Sequence, residues 1–267
     1  MSARILQGDA LAVLRSLPDC TFNCCVTSPP YFNQRDYGVE GQIGLEASPE
    51  LFIAALVDVF REVRRVLADD GTFWLNIGDS VYSGNGQPCG SDPRSPNRDW
   101  MRKTKRWLDT PGMGLPKKSL MGVPWLLAHA LQADGWTIRQ EIIWVRSSAF
   151  VEPSVKDRPY RQHETIFLLS KSRRYWFDRS ALPEESVWHI EPERAQRGHV
   201  APFPKELARR CIGAGCIPGG TVIDPFGGSG TVADVAQFMG RSATLIDLNP
   251  AYVDAARSRV AQGVLAA

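Results

Sequence analysis

Two short segments carry residue types whose spacing could do chemistry. Thr27-Ser28-Pro29-Pro30-Tyr31 follows directly on the β-rich run Phe22 to Val26, so it stands at the carboxyl end of a predicted strand, where α/β proteins bind ligands. Two prolines in sequence fix φ and remove two N–H donors. Backbone carbonyls and the Ser28 hydroxyl are left as acceptors beside an aromatic face, a set of groups suited to a planar amine. The second segment, Thr221-Val-Ile-Asp-Pro-Phe-Gly-Gly-Ser-Gly-Thr231, reads as a buried strand, a glycine turn and the start of a helix. Gly227, Gly228 and Gly230 let backbone approach a ligand closely, and Asp224 places a carboxylate at the sheet edge. Neither a phosphate loop nor a Gly-x-Gly-x-x-Gly fingerprint is present, and a tight turn without a ligand is the alternative. Asp247 ends the next predicted strand, where an acid can accept from ribose hydroxyls.

Other reactive side chains do not assemble. Cys20, Cys24, Cys25, Cys89, Cys211 and Cys216 contain no Cys-x-x-Cys pair, so neither zinc nor a disulfide framework is indicated and reduced thiols in a cytoplasmic protein are expected. His129, His163, His189 and His199 show no ligand spacing, and His163-Glu164 reads as a core or surface pair; no metal is expected.

These segments need a scaffold. Apolar residues from Leu51 to Leu67 follow helical spacing, with Ser48 as N-cap, Pro49 in the first turn and Asp70-Gly71 as the stop. Further helices are predicted at Val123 to Gln132, Lys205 to Ala214, Val232 to Met239 and Pro250 to Val260. Strands are predicted at Phe22 to Val26, Thr72 to Ile77, Thr137 to Val145, Glu164 to Leu169, Thr221 to Asp224 and Ala243 to Asp247. The alternation predicts an α/β, mostly parallel sheet with helices on both faces.

The chain has 267 residues, 43% hydrophobic and 22% charged, which excludes a disordered tail, a collagen and a coiled coil. No apolar window spans a membrane and no secretory signal is visible. Net charge is only +2, but Ser83 to Leu120 holds eight basic residues against three acidic ones. Arg94, Arg98, Arg102, Lys103, Lys105, Arg106, Lys117 and Lys118, interleaved with Trp100 and Trp107, suit phosphate contact and stacking, or form a solvated surface. A second basic region, Lys156, Arg158, Arg161, Lys171, Arg173, Arg174 and Arg179, is either another contact or the outer face of a hairpin. Leu182 to Pro204 reads as a loop, in which Trp188 and His189 lie near the substrate or plug the fold.

With Asp224-Pro-Phe-Gly-Gly-Ser-Gly-Thr231 and Ser28-Pro-Pro-Tyr31 in view, the chain resembles the S-adenosylmethionine-dependent DNA amino-methyltransferases, which modify cytosine N4 or adenine N6. Catalytic motif first and cofactor motif last is similar to the circularly permuted β group. Gly8-Asp9-Ala-Leu11, Leu75-Asn-Ile-Gly-Asp79, Ser154 to Pro159 with His163-Glu164, and Ala201 to Leu207 agree, so the resemblance covers nearly the whole chain. It implies a Rossmann-like, seven-stranded class I methyltransferase fold in a single domain over 1–267. Residues 1–82 would form the catalytic half, 83–120 a basic insertion, 121–181 the rest of the sheet, 182–200 a short recognition loop and 201–267 the cofactor half.

The resemblance implies that Asp224, Pro225, Phe226, Gly227, Gly228, Ser229, Gly230 and Thr231 hold the methionine part of the cofactor and Asp247 the ribose. Pro202, Phe203 and Pro204 would pack nearby, with Asp9 at the adenine. Accepting the amine's N–H bonds at Ser28 Oγ and the Pro29 carbonyl would turn its lone pair towards the methyl group, while Pro30 stiffens the turn and Tyr31 stacks on a flipped base. Ser at position 28 looks more like the cytosine N4 enzymes; adenine N6 is the alternative. C5 methylation would need a thiolate, and Pro88-Cys89 supplies the dipeptide without a preceding strand. Methylation of RNA or of a glutamine side chain, and a non-catalytic DNA-binding relative, are the other readings. Double-stranded DNA is the expected partner, with a homodimer and a cognate restriction endonuclease as further ones.

Overall fold

The computed structural model describes residues 1–86, 107–146, 156–193 and 203–265. In chain order these form β1 (Ala3–Gln7), α1 (Ala10–Arg15), β2 (Phe22–Thr27), α2 (Pro49–Val66), β3 (Leu67–Ile77), α3 (Val123–Ala133), β4 (Thr137–Val145) and β5 (His163–Ser170). They continue with β6 (Val187–His189), α4 (Lys205–Gly215), β7 (Thr221–Asp224), α5 (Thr231–Phe238), β8 (Ser242–Asp247) and α6 (Pro250–Leu265).

One sheet of eight strands runs β1-β8-β7-β2-β3-β5-β4-β6. Every pairing is parallel except those of β5, which is antiparallel to both β3 and β4. The central strands are buried on both faces, as parallel strands covered by helices must be. On β2, Cys25 points into one core with the apolar faces of α1, α2 and α3, while Cys24 and Val26 point into the other with α4 and α5. Each fully buried Phe or Leu, such as Phe52, Leu56 and Phe60 on α2, contributes about 2 kcal/mol of transfer free energy. Cys24, Cys25, Cys211 and Cys216 are buried free thiols and Cys20 is exposed.

The predicted elements recur, with one further helix, α1, and three differences in the sheet. The sheet has eight strands rather than seven: β6 falls within the stretch read as a loop, held by Trp188, which is buried and stacked on Trp74 with the Arg210 guanidinium over its ring. Trp188 therefore plugs the fold. The edge strand β1, which pairs with β8, is absent from the runs that the sequence predicts. Asp70-Gly71 lies within β3 rather than ending α2; the chain turns extended at Leu67 (φ −70°, ψ 143°), because the first residue of β3 already pairs with Phe22.

The described flanks of the basic insertion are packed, not loose. Val81 bridges Leu120, Tyr82 and Leu108 are buried, and Trp107 lies against Phe32 and Tyr82. Trp107 is half-buried by these contacts. Among the described residues, no helix is long and apolar enough to cross a membrane.

Candidate active site

The connection from β2 to β3 runs through α2 on one face of the sheet, and that from β7 to β8 through α5 on the other. Since β2 and β7 are neighbours, their carboxyl ends open into a crevice at a topological switch point. Ser28 follows β2 and Asp224 ends β7. A hydrogen bond from Thr27 Oγ1 to Asp224 Oδ1 (2.5 Å) ties the two strand ends together. Above them lies a cavity of about 580 Å³.

One wall of the cavity is built from backbone and carboxylates. Asp224 Oδ1 also accepts the Phe226 N–H at 3.0 Å. Asp247 accepts the N–H of Gly228 on one oxygen and that of Asn249 on the other, each at 2.8 Å. Burial lifts the Asp224 carboxyl to about 7 and raises Asp247 as well, and the negative charge of Asp247 adds to the rise at Asp224. Among the described residues neither acid has a salt bridge, so the pair lacks a counter-charge. A cationic ligand group, such as the ammonium or sulfonium of S-adenosylmethionine, fits this donor set. Asp9 lines the same cavity while capping α1 through the Ala12 N–H (2.9 Å).

The three glycines differ in their work. Gly228 has φ 50° and open space where a Cβ would sit, which leaves it free beside the cavity. A Cβ at Gly227 would stand 2.8 Å from Leu245, and one at Gly230 2.9 Å from Ala256. Those two allow the turn to pack on β8 and α6 rather than allowing a ligand to approach.

The opposite wall is built from side chains. Asn76 Nδ2 lies 3.3 Å from Ser28 Oγ, 2.9 Å from Tyr31 Oη and 3.2 Å from Glu164 Oε2. The Tyr31 hydroxyl donates to Glu164, whose other oxygen pairs with Arg146 Nη1 at 3.3 Å. Burial, and then the adjacent Glu164, hold the Tyr31 hydroxyl well above its usual range. Its ring lies so close to Gly78 that a Cβ there would collide with Tyr31 Cε2.

Ser28, Pro29, Pro30, Tyr31, Asp9, Phe203, Pro204, Asp224 to Ser229, Thr231 and Asp247 all line this one cavity. Gly230 stands just behind as the N-cap of α5. Pro202 and the six basic residues Arg94, Arg98, Arg102, Lys103, Lys105 and Arg106 lie outside the described residues, as does Cys89. Lys117 and Lys118 are exposed, with Lys118 paired to Asp157. The second basic region divides in two. Lys156, Arg158 and Arg161 precede β5, whereas Lys171, Arg173 and Arg174 follow it at its opposite end, and Arg179 lies in the 3-10 turn Arg179–Ala181.

Sequence reasoning gives no role of their own to Asn76, Arg146 and Glu164, and Glu164 is neither a core nor a surface residue. Asn76 and Glu164 meet only through the pairing of two strands: Asn76 is the last residue but one of β3 and Glu164 the second of β5, and these strands are antiparallel neighbours with Asn76 opposite Ile166. Among the described residues, no group of His, Cys, Asp and Glu side chains is arranged to hold a metal ion.

Comparison with known proteins follows the same lines. The profile of a DNA methylase family, N6_N4_Mtase, matches residues 22–258. The type II methyltransferase M.Cfr9I of Citrobacter freundii is 47% identical over 97% of this chain and 87% of its own length. M.SmaI of Serratia marcescens, another type II methyltransferase, is 45% identical over 97% and 91%. Among solved structures, the cytosine-N4-specific PvuII DNA methyltransferase superposes with a TM-score of 0.73 at 19% identity, covering 97% of this chain and 86% of the other. A Thermus thermophilus protein, described as a putative DNA modification methylase and solved with S-adenosyl-L-methionine, gives 0.68 at 24% identity, covering 99% and 96%. A family profile spanning most of the chain, and relatives sharing nearly half of its residues end to end, place the chain in the N6/N4 DNA methylase family of methyltransferases.

Proposed function

We propose that the enzyme transfers the methyl group of S-adenosylmethionine to N4 of a cytosine flipped out of duplex DNA. The observation that carries this reading is the meeting, in one cavity, of an acceptor-lined wall at Ser28 to Tyr31 and an uncompensated carboxylate wall at Asp224 and Asp247. Bound there, the cofactor supplies an electrophilic methyl. Asp224, the turn through Thr231, Phe203 and Asp247 hold it, while Ser28 Oγ and the Pro29 carbonyl accept the amine's N–H bonds. Tyr31 is the platform for the base, with its hydroxyl fixed by Asn76 and Glu164. Orientation supplies most of the rate, since an in-line displacement needs the amine opposite the sulfur and water excluded.

Cytosine is favoured over adenine by Ser28 and by the stated specificity of the PvuII structural neighbour. The type II relatives support a cognate restriction endonuclease as a functional partner. A homodimer is the other proposed partner state. Lys117 and Lys118, with the basic residues before them, are the proposed phosphate contacts.

Nucleoside mass spectrometry on DNA from cells expressing the enzyme or its Ser28→Ala variant tests the reading. N4-methylcytosine with the intact enzyme alone is expected. N6-methyladenine would move the target base, and the absence of both would overturn the reading.

A further inference from the structure

Methyl transfer to a neutral amine leaves a surplus proton. The S–CH3 bond breaks and its electron pair stays on sulfur, the N–CH3 bond forms, and the nitrogen, now cationic, must release one hydrogen. Ser28, the group that meets that hydrogen in the proposed function, is a poor final acceptor because a serine hydroxyl has no useful basicity near neutral pH. The reaction therefore needs a base beyond Ser28.

The side-chain wall contains one. Ser28 Oγ lies 3.5 Å from Tyr31 Oη in donor geometry, and Tyr31 donates to Glu164 Oε2. Asn76 Nδ2 faces all three oxygens and its own Oδ1 is buried without a partner, so this side chain is committed to holding the row. Asn76 is 3% exposed at the end of β3, and Glu164 reaches the same level only because β5 runs against its neighbours. The other charged groups facing the row are Arg146, from the end of β4, and Arg35, from the loop after β2; Arg161 binds Asp79 alongside.

We propose that Glu164 is the terminal acceptor of the amine proton, reached through Ser28 and Tyr31, with Asn76 as the positioning residue that holds the row. In one concerted step the nitrogen gives its proton to Ser28 Oγ, Ser28 gives its own to Tyr31 Oη, and Tyr31 gives its own to the Glu164 carboxylate. Ser28 and Tyr31 end unchanged and neutral, and Glu164 carries the proton until it passes to solvent. Arg146 pairs with Oε1, the carboxylate oxygen that Tyr31 leaves free.

The inference rests on the amino-methyltransferase reading and its test separates the two. Single-turnover methylation of duplex DNA by the full chain is followed across about pH 6 to 9 for wild type, Glu164→Gln and Glu164→Asp, with cofactor and DNA affinities measured beside it. Glu164→Gln should lose about 10²-fold or more in rate while both affinities stay within a few-fold. Its remaining rate should climb in proportion to hydroxide, which replaces the lost base, whereas wild type stays level over the same range. Glu164→Asp, which keeps the charge at a longer reach, should recover part of the rate and the level profile. The ultraviolet titration of Tyr31, isolated by subtracting Tyr31→Phe, should move to lower pH in Glu164→Gln because a charge that opposes its ionisation is gone. A Glu164→Gln rate within threefold of wild type, or one reduced by the same factor at every pH, overturns the proposal. Absence of any methylated base with wild type overturns the reading beneath it instead.

Discussion

The two walls of the cavity are organised in opposite ways. On the amine side, Ser28, Tyr31, Asn76, Glu164 and Arg146 hydrogen-bond one another, so the row is held in place without a ligand, although Asn76 Oδ1 and Arg146 Nε are buried without partners. On the cofactor side, Asp224 and Asp247 are held by backbone N–H groups and by Thr27, with no cationic partner among the described residues. One wall is pre-organised, as electrostatic catalysis requires. The other is charge-frustrated and gains its stability from what it binds. Substitutions on the first should therefore change turnover with little effect on cofactor affinity, and those on the second should do the reverse.

The largest separation is expected from Tyr31→Ala, which removes both the platform and the centre of the hydrogen-bonded row. Single-turnover methylation should fall by about 10³-fold with cofactor affinity, measured by calorimetry, within about twofold of wild type. A comparable fall in affinity would mean that the walls are one unit. Gly78→Ala is a subtler probe, because the new methyl must displace the Tyr31 ring that now occupies its place. A rate loss of about 10²-fold is expected, again without loss of cofactor binding.

On the other wall the probe is pH. Asp224 attracts a cation only when ionised, and with its carboxyl at about 7 only about a tenth is ionised one unit lower. Cofactor affinity should thus fall about tenfold from pH 8 to pH 6, and Asp224→Asn should bind weakly with no such slope. The sign for the unliganded protein is opposite. A carboxyl raised on folding disfavours the folded state once the unfolded chain ionises while the folded one stays protonated, so stability is greatest below about pH 4, drops as pH climbs towards 7 and levels above it. The whole loss is about 4 kcal/mol at most, and chemical denaturation of Asp224→Asn should show a flatter profile. The smallest effect belongs to the surface outside both walls. Lys117→Glu should weaken DNA binding a few-fold and reduce the salt slope by about 1, with methyl transfer at saturating DNA unchanged.

What could be read in the sequence was what is local. Ser28 to Tyr31 and Asp224 to Thr231 are contiguous, and each sits on the strand it follows, so residue type and order were enough to bring them to one edge. Asn76 and Glu164 are far apart in the chain and meet through the register of β3 and β5, which depends on β5 being antiparallel. No periodicity within either strand encodes that. The strand β6 escapes sequence reasoning because three residues carry no alternation, and its place depends on Trp188 packing against Trp74. The contacts of Trp107 escape such reasoning for a related cause: an aromatic between basic residues gives no sign that Phe32 and Tyr82, distant in the chain, lie against it. Composition could not distinguish Gly228 from Gly227 and Gly230 either, since the difference lies in what stands opposite each one.

The strand that delivers Ser28 to the cavity also carries Cys24 and Cys25, both fully buried, with thiols pushed well above their usual range by burial. The proposed methyl donor is an alkylating agent, and a thiolate is a far better nucleophile than a conjugated amine. An enzyme that concentrates such a reagent beside its own sulfur would inactivate itself unless the sulfur were kept protonated and shut away. Interring both thiols in the two cores on either side of β2 provides that immunity to self-alkylation, so peptide mass mapping should find Cys24 and Cys25 unmethylated after prolonged incubation with the donor.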